Sequence, residues 1–276
     1  MKTLLIAGFG DIARRVAPRL AGRFAWHPLS RRHGLDLDRP DTLVALPAAD
    51  ALLHCAPPPG HGASDPRTGN LLAALAKAGI LPARVVYVST SGVYGDCAGA
   101  RVDEARPVTP QTDRARRRVD AERRLVAWCG TRAIPLVILR VPGIYAADRL
   151  PLERLRAGTP VLRREDDVYT NHVHAEDLAA IAVRALEDDA PEGIYNASDD
   201  TELLAGDWMD LVAERCALPR PARISRAEAL AVLSPDTRTF LGESRRLVNA
   251  RLKERLGVCL RYPTVHDGLP WAKAAA

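Results

Sequence analysis

The chain of 276 residues contains no uninterrupted apolar run of the about 18 residues needed to span a bilayer. Its first residues, MKTLLIAGFGDIA, carry a lysine and a short apolar stretch, but Gly8, Gly10 and Asp11 fall where a signal peptide stays apolar. That stretch reads instead as a strand and a turn. Aromatic residues make up only 5% of the chain, which leaves little material for stacking on nucleic-acid bases. The five cysteines, at 55, 97, 129, 216 and 259, form no CxxC pair, so neither a disulfide framework nor a zinc site is expected. Scattered reduced thiols point to a cytoplasmic protein without a metal. Lysine is scarce, and the net charge of +5 rests almost wholly on arginine. The arginines are interspersed with acids, as in DRARRRVDAERR (113–124), the pattern of a solvated helix face rather than of a nucleic-acid surface. Neither nucleic acid nor membrane is an expected partner; a small molecule is.

Hydrophobic residues form 47% of the chain, enough for a large core. Short runs rich in Val, Leu and Ile alternate with helical segments, which predicts an α/β protein with a doubly wound parallel sheet. Strands are expected at 3–8, 24–30, 49–57, 84–90, 135–142 and 193–198, with helices at 12–22, 41–46, 68–79, 112–130 and 176–188. After Tyr145 the elements become short, with helices expected at 150–158 and in DWMDLVAERCAL and SRAEALAVL. The expected division is a nucleotide-binding core at 1–145, with further core elements at 168–198, and a smaller interwoven lobe at 146–276.

Between the first strand and its helix, Gly8-Phe9-Gly10-Asp11-Ile12-Ala13 has the GxGxxA form. Gly8 permits a tight turn, Gly10 lets backbone approach a pyrophosphate, and Ala13 lets helix and sheet pack closely. The helix N-terminus adds N–H groups and a positive dipole end. A dinucleotide is the expected ligand. The second strand ends in Leu29-Ser30-Arg31-Arg32, where an NAD-binding chain carries an acid for the ribose 2′-hydroxyl. Two guanidiniums there suit a 2′-phosphate, so NADP is expected, with NAD the alternative. Asp36 and Leu37, just downstream, are candidates for contacting adenine.

The order of motifs resembles the extended short-chain dehydrogenase/reductase family, which includes nucleotide-sugar epimerases and dehydratases. Ala7-Gly8-Phe9-Gly10 matches its glycine-rich turn, with alanine at the first usual glycine. His54-Cys55-Ala56-Pro57 matches a strand end near the cofactor. Ser89-Thr90-Ser91-Gly92-Val93-Tyr94-Gly95-Asp96, Asp103-Glu104 and Pro107 follow the layout of its serine-rich strand and VYG turn. Arg140-Val141-Pro142-Gly143-Ile144-Tyr145, His172-Val173-His174-Ala175-Glu176-Asp177-Leu178 and Tyr195-Asn196-Ala197 continue it. The resemblance covers most of the chain and implies a Rossmann-type fold that binds NAD(P).

The likeness breaks at the catalytic pair. The family begins the helix after the serine strand with Tyr-x-x-x-Lys, in which lysine lowers the tyrosine pKa for proton exchange. Residues 95–144 contain neither tyrosine nor lysine, and alignment on Glu122 sets Arg114 and Arg118 at the two places. Arginine keeps its proton, so Arg114 is no general base. Ser91, Tyr94 and Tyr145 are the candidates for the chemistry, with His174 a weaker one; Ser91 is expected to hold a substrate oxygen. Ser89 is read as cofactor-adjacent packing, and Thr90 as facing the other side of the strand. Four residues apart on a helix, Arg114 and Arg118 share a face and can converge on a substrate anion. Solvation of the same stripe is the competing reading. The resulting expectation is an epimerase/dehydratase-like oxidoreductase acting on a polar, nucleotide-sugar-like molecule, as a monomer or homodimer. The alternative is a catalytically silent NADP-binding redox sensor.

Overall fold

The computed structural model describes residues 1–270; the last residues of the expected lobe, 271–276, lie outside the described residues. Six parallel strands form the central sheet: β1 (Lys2–Ala7), β2 (Phe24–Leu29), β3 (Ala51–His54), β4 (Arg84–Thr90), β5 (Leu136–Val141) and β6 (Gly193–Asn196). Their order is β6-β5-β4-β3-β1-β2, so the chain winds outward in both directions from between β1 and β3. All six lie where apolar runs predict them.

The near-continuous apolar character of the strands has a direct cause. Successive side chains point to opposite faces, and both faces are covered. Leu4 and Ile6 of β1 enter one buried cluster with Ile12, Ala13 and Val16 of α1 (Asp11–Val16). The same cluster holds Leu178, Ile181 and Ala182 of a later helix, Ala175–Ala185. Leu5 and Ala7 enter the other, with Leu71, Leu72 and Leu75 of α2 (Pro66–Lys77) and Ala121, Leu125 and Trp128 of α3 (Asp113–Gly130). Arginines also join elements on one face of the sheet: Arg15 of α1 donates to Glu176 of the Ala175–Ala185 helix at 2.6 Å and to Asp148 at 2.7 Å.

The first helix differs from the expected span 12–22. It ends at Val16 and continues as a 3₁₀ turn, Ala17–Leu20. Pro18 has no N–H for the α-helical ladder, which explains the change of winding. The edge strand β2 also contains a proline, Pro28, and the Leu29 carbonyl beside it accepts from the Gly8 N–H at 2.9 Å.

Beyond Tyr145 the elements are short. Gly143–Tyr145 pairs in parallel with His172–His174, as does Val161–Leu162 with Arg223–Ile224, whereas Tyr169–Thr170 pairs antiparallel with Leu203–Leu204. A short helix at Leu152–Arg156 and a longer one at Ala205–Arg215 pack Leu155, Trp208, Met209 and Val212 into a separate cluster with Tyr145. Among the described residues no helix is long and apolar enough to cross a membrane.

Candidate functional site

A cleft of about 530 Å³ runs along the carboxyl ends of the strands, over the point where the winding reverses. In open α/β sheets this is where ligands bind. Gly8 forms its floor with a φ of +85°, and a Cβ there would stand 2.4 Å from the Ala56 backbone. Only glycine allows β1 and the segment after β3 to meet so closely. α1 begins at Asp11, and its first-turn N–H groups have no helical carbonyl to bond. The Asp11 carboxylate is held to the side by Arg15 and by Arg149, the latter at 2.7 Å.

At the end of β2, Ser30, Arg31 and Arg32 line the cleft, and the two arginines are exposed. Among the described residues no carboxylate pairs with either one, although ion pairs engage many other arginines. The Ser30 hydroxyl bonds His33 at 2.7 Å. Asp36, Leu37, Cys55 and Ala56 also reach the cleft wall, beside Gly8, Phe9, Gly10, Asp11 and Ile12. His54 does not line it. It lies buried beneath, with Nε2 at 2.8 Å from the Thr68 hydroxyl, which in turn donates to Asp65. Because Thr68 donates its proton to Asp65, the imidazole is the donor to Thr68. Burial holds that imidazole down to about 3, so it stays neutral; burial likewise pushes the Cys55 thiol up to about 12.

At the end of β4 the sequence expectation shifts by one residue. Val88, Ser89 and Thr90 line the cleft, and Ser91 does not. A 3₁₀ turn starts at Ser91, with the Thr90 hydroxyl accepting from the Gly92 N–H, and carries Ser91 into the interior. The Ser89 hydroxyl donates to Glu122 at 2.6 Å, and Glu122 also receives Arg140 at 2.8 Å. Arg140 lies over the ring of Tyr94, 4.8 Å from its centroid, and the Tyr94 hydroxyl donates to Asn196 at 2.8 Å. These five form a buried polar knot. Burial raises the Tyr94 pKa, and Tyr94 is absent from the cleft wall. Tyr145 is also buried, in the cluster of the later helices, where its hydroxyl donates to the Thr264 carbonyl at 3.2 Å. His174 is a helix cap: its Nδ1 accepts from the Glu176 N–H.

Arg114 and Arg118 both line the cleft, Arg114 exposed and Arg118 half-buried. Arg118 is tethered by bonds to the Val88 carbonyl (3.0 Å) and the Tyr87 hydroxyl (3.1 Å). Its guanidinium helps offset the cost that burial imposes on the ionised form of Tyr87, whose pKa nonetheless stands at about 12. Among the described residues, the cleft lining contains no tyrosine, lysine or histidine. No group of three or more His, Cys, Asp or Glu among them is arranged to hold a metal ion.

A second cavity, about 170 Å³, opens beside the first, and Ile144 and Arg149 belong to both walls. Its lining includes Trp208, Met209 and Leu162, with the ring of His172 at 4.3 Å from that of Trp208.

Residues 8–198 match the model of the NAD dependent epimerase/dehydratase family. The chain belongs to this family. Comparison with curated proteins finds no match. A solved structure of a functionally unknown conserved protein from Silicibacter pomeroyi is 31% identical, covering 97% of this chain and 96% of its own, with a TM-score of 0.78. An NAD-dependent epimerase/dehydratase structure from Methylobacillus flagellatus is 26% identical over the same shares, with a TM-score of 0.71. The Pseudomonas aeruginosa protein RMD, solved with NADPH, shares the fold at 19% identity over the same shares and a TM-score of 0.75.

For an epimerase/dehydratase chain, the cleft residues that sequence reading missed are instructive. Thr90 was assigned to the opposite face, but strand alternation from Val88, which faces the cleft, places it with Val88. Arg14 stands next to the Gly8–Ala13 motif, and Pro142 lies within the Arg140–Tyr145 motif. Arg149 has no local signal; its place is set by the turn after Tyr145 and its bond to Asp11.

Proposed function

We propose that the protein is an NADP-dependent oxidoreductase of the epimerase/dehydratase kind, acting on a polar, anionic small molecule. The observation that carries this reading is the pair Arg31 and Arg32, exposed at the end of β2 and without a carboxylate partner among the described residues. A 2′-phosphate is the natural counter-ion for such a pair. The residues present fit the dinucleotide: the Gly8–Ala13 turn takes the pyrophosphate, and Asp36 and Leu37 border the adenine end. The nicotinamide supplies a hydride donor or acceptor. The lobe assembled from the short elements after Tyr145 covers the substrate, and the free thiols fit a cytoplasmic location.

The chain's own contribution is electrostatic positioning. Arg118, fixed by Val88 and Tyr87, and Arg114 one turn earlier present charged N–H donors to a substrate carboxylate or to a carbonyl oxygen gaining charge. The Thr90 hydroxyl accepts one N–H and keeps its own hydrogen for the substrate oxygen, a role that sequence reading gave to Ser91. Tyr94 stays with its buried partners, and Tyr145, whose hydroxyl donates to the Thr264 carbonyl, lines the smaller cavity. The catalytically silent NADP sensor is a second reading, favoured by the absence of tyrosine, lysine and histidine from the cleft wall. Calorimetry with NADP and NAD tests the coenzyme assignment, and NADPH consumption across a panel of carbonyl compounds separates enzyme from sensor. Tight NADPH binding with no consumption by any compound supports the sensor; no heat with either dinucleotide ends both readings.

A further inference from the structure

The smaller cavity narrows the substrate class, an inference that rests on the coenzyme reading only for the location of the reacting carbon. Its volume of about 170 Å³ is close to that of a cavity of about 150 Å³ that admits one benzene ring. A nucleoside diphosphate sugar is several times too large for it. Trp208 and His172 form an aromatic wall, their rings tilted by 38° with centroids 4.3 Å apart, and Met209 and Leu162 extend the apolar lining. Burial keeps His172 neutral, down to about 3, and its Nδ1 has no hydrogen-bond partner.

Arg154 also lines this cavity and is half-buried. Among the described residues no side chain bonds to its guanidinium, and partial burial lowers its pKa, the mark of a cation stripped of water without a counter-ion. The other charged groups on the wall are engaged. Arg149 donates to Asp11, and Asp167 accepts from the Gly206 and Val168 N–H groups, both at 2.8 Å, with Arg223 at 3.7 Å. We infer that this cavity is the specificity subsite for a compact carboxylate with a single flat or cyclic apolar body, Arg154 taking the carboxylate and the Trp208–His172 wall taking the ring. Ile144 and Arg149 line both spaces, so that subsite borders the larger cleft.

Calorimetric titration with benzoate, cyclohexanecarboxylate, benzamide and UDP, with and without saturating NADP, tests the inference. Benzoate or cyclohexanecarboxylate should bind, benzamide should bind more weakly, and UDP should displace neither. Arg154→Gln should weaken the carboxylates by about tenfold or more while leaving benzamide unchanged, and the charge-retaining Arg154→Lys should recover part of the loss. Failure of both carboxylates to bind, or an Arg154→Gln effect within about twofold, overturns the inference. So does UDP displacing a bound carboxylate. Because NADP binding is read in the same titrations, loss of the coenzyme reading is seen separately.

Discussion

Arg31 and Arg140 stand at two strand ends on one rim of the same sheet, and they meet opposite surroundings. Arg140, at the end of β5, is buried against Glu122, with their side chains only 5% and 7% exposed. Arg31, past the end of β2, is exposed and has no carboxylate partner among the described residues. Sequence alone shows two arginines near strand ends. The structure separates them by their partners: a charge paired inside the protein holds the fold, and a charge without an ion-pair partner at a cleft is available to a ligand. The same contrast divides Ser89, bonded to Glu122, from Thr90, whose hydroxyl hydrogen finds no acceptor among the described residues.

The largest effect that would break this comparison lies in the knot. Glu122→Leu leaves the Arg140 guanidinium buried without a counter-charge, and urea unfolding should show a loss of about 3–5 kcal/mol. Adding Arg140→Leu should restore most of it, since removing both charges removes the uncompensated one. A single variant as stable as the parent would mean that the pair does not hold the fold. Next comes Gly8→Ala, which sets a Cβ 2.4 Å from backbone atoms of Ala56 in a left-handed conformation. About 3 kcal/mol of stability should be lost, with dinucleotide binding, and the unfolding curve and an NADP titration check both.

At the other strand end the expectation reverses. Replacing Arg31 and Arg32 together by alanine should leave stability unchanged and lower NADP affinity about ten- to a hundredfold, with NAD affinity unaffected. Equal weakening of both dinucleotides would remove the 2′-phosphate from the account. The smallest effect is expected for Tyr94→Phe. It deletes a buried hydroxyl bonded to Asn196, costs about 1 kcal/mol in unfolding, and should leave any NADPH-consuming turnover intact. A large drop in turnover at unchanged stability would return Tyr94 to the chemistry.

Much of this molecule was legible before its structure. The six sheet strands follow from Val, Leu and Ile runs because both faces are buried, and the Gly8–Ala13 turn follows from the contact that only glycine allows. The cleft gathers Arg114 and Arg118 as their spacing on α3 requires. What sequence could not show depends on the third dimension. The register at Thr90 and Ser91 turns on where a 3₁₀ turn begins, and single-residue boundaries leave little trace in composition. The smaller cavity draws Arg154, His172 and Trp208 from three separate elements, so no local pattern announces it. His54 lies one residue before the cleft wall, near enough to a motif to be mistaken for part of it.

The two margins of the sheet have a consequence for how copies of the protein meet. Alternation puts the polar backbone groups of Pro28 on the open side of β2, because its neighbour Leu29 faces β1. Proline has no hydrogen there to offer a stranger's carbonyl. The opposite margin, β6, carries the Arg251 side chain over Tyr195 and against Gly193. At Pro28 the β2 border therefore offers a strand from another copy one donor fewer.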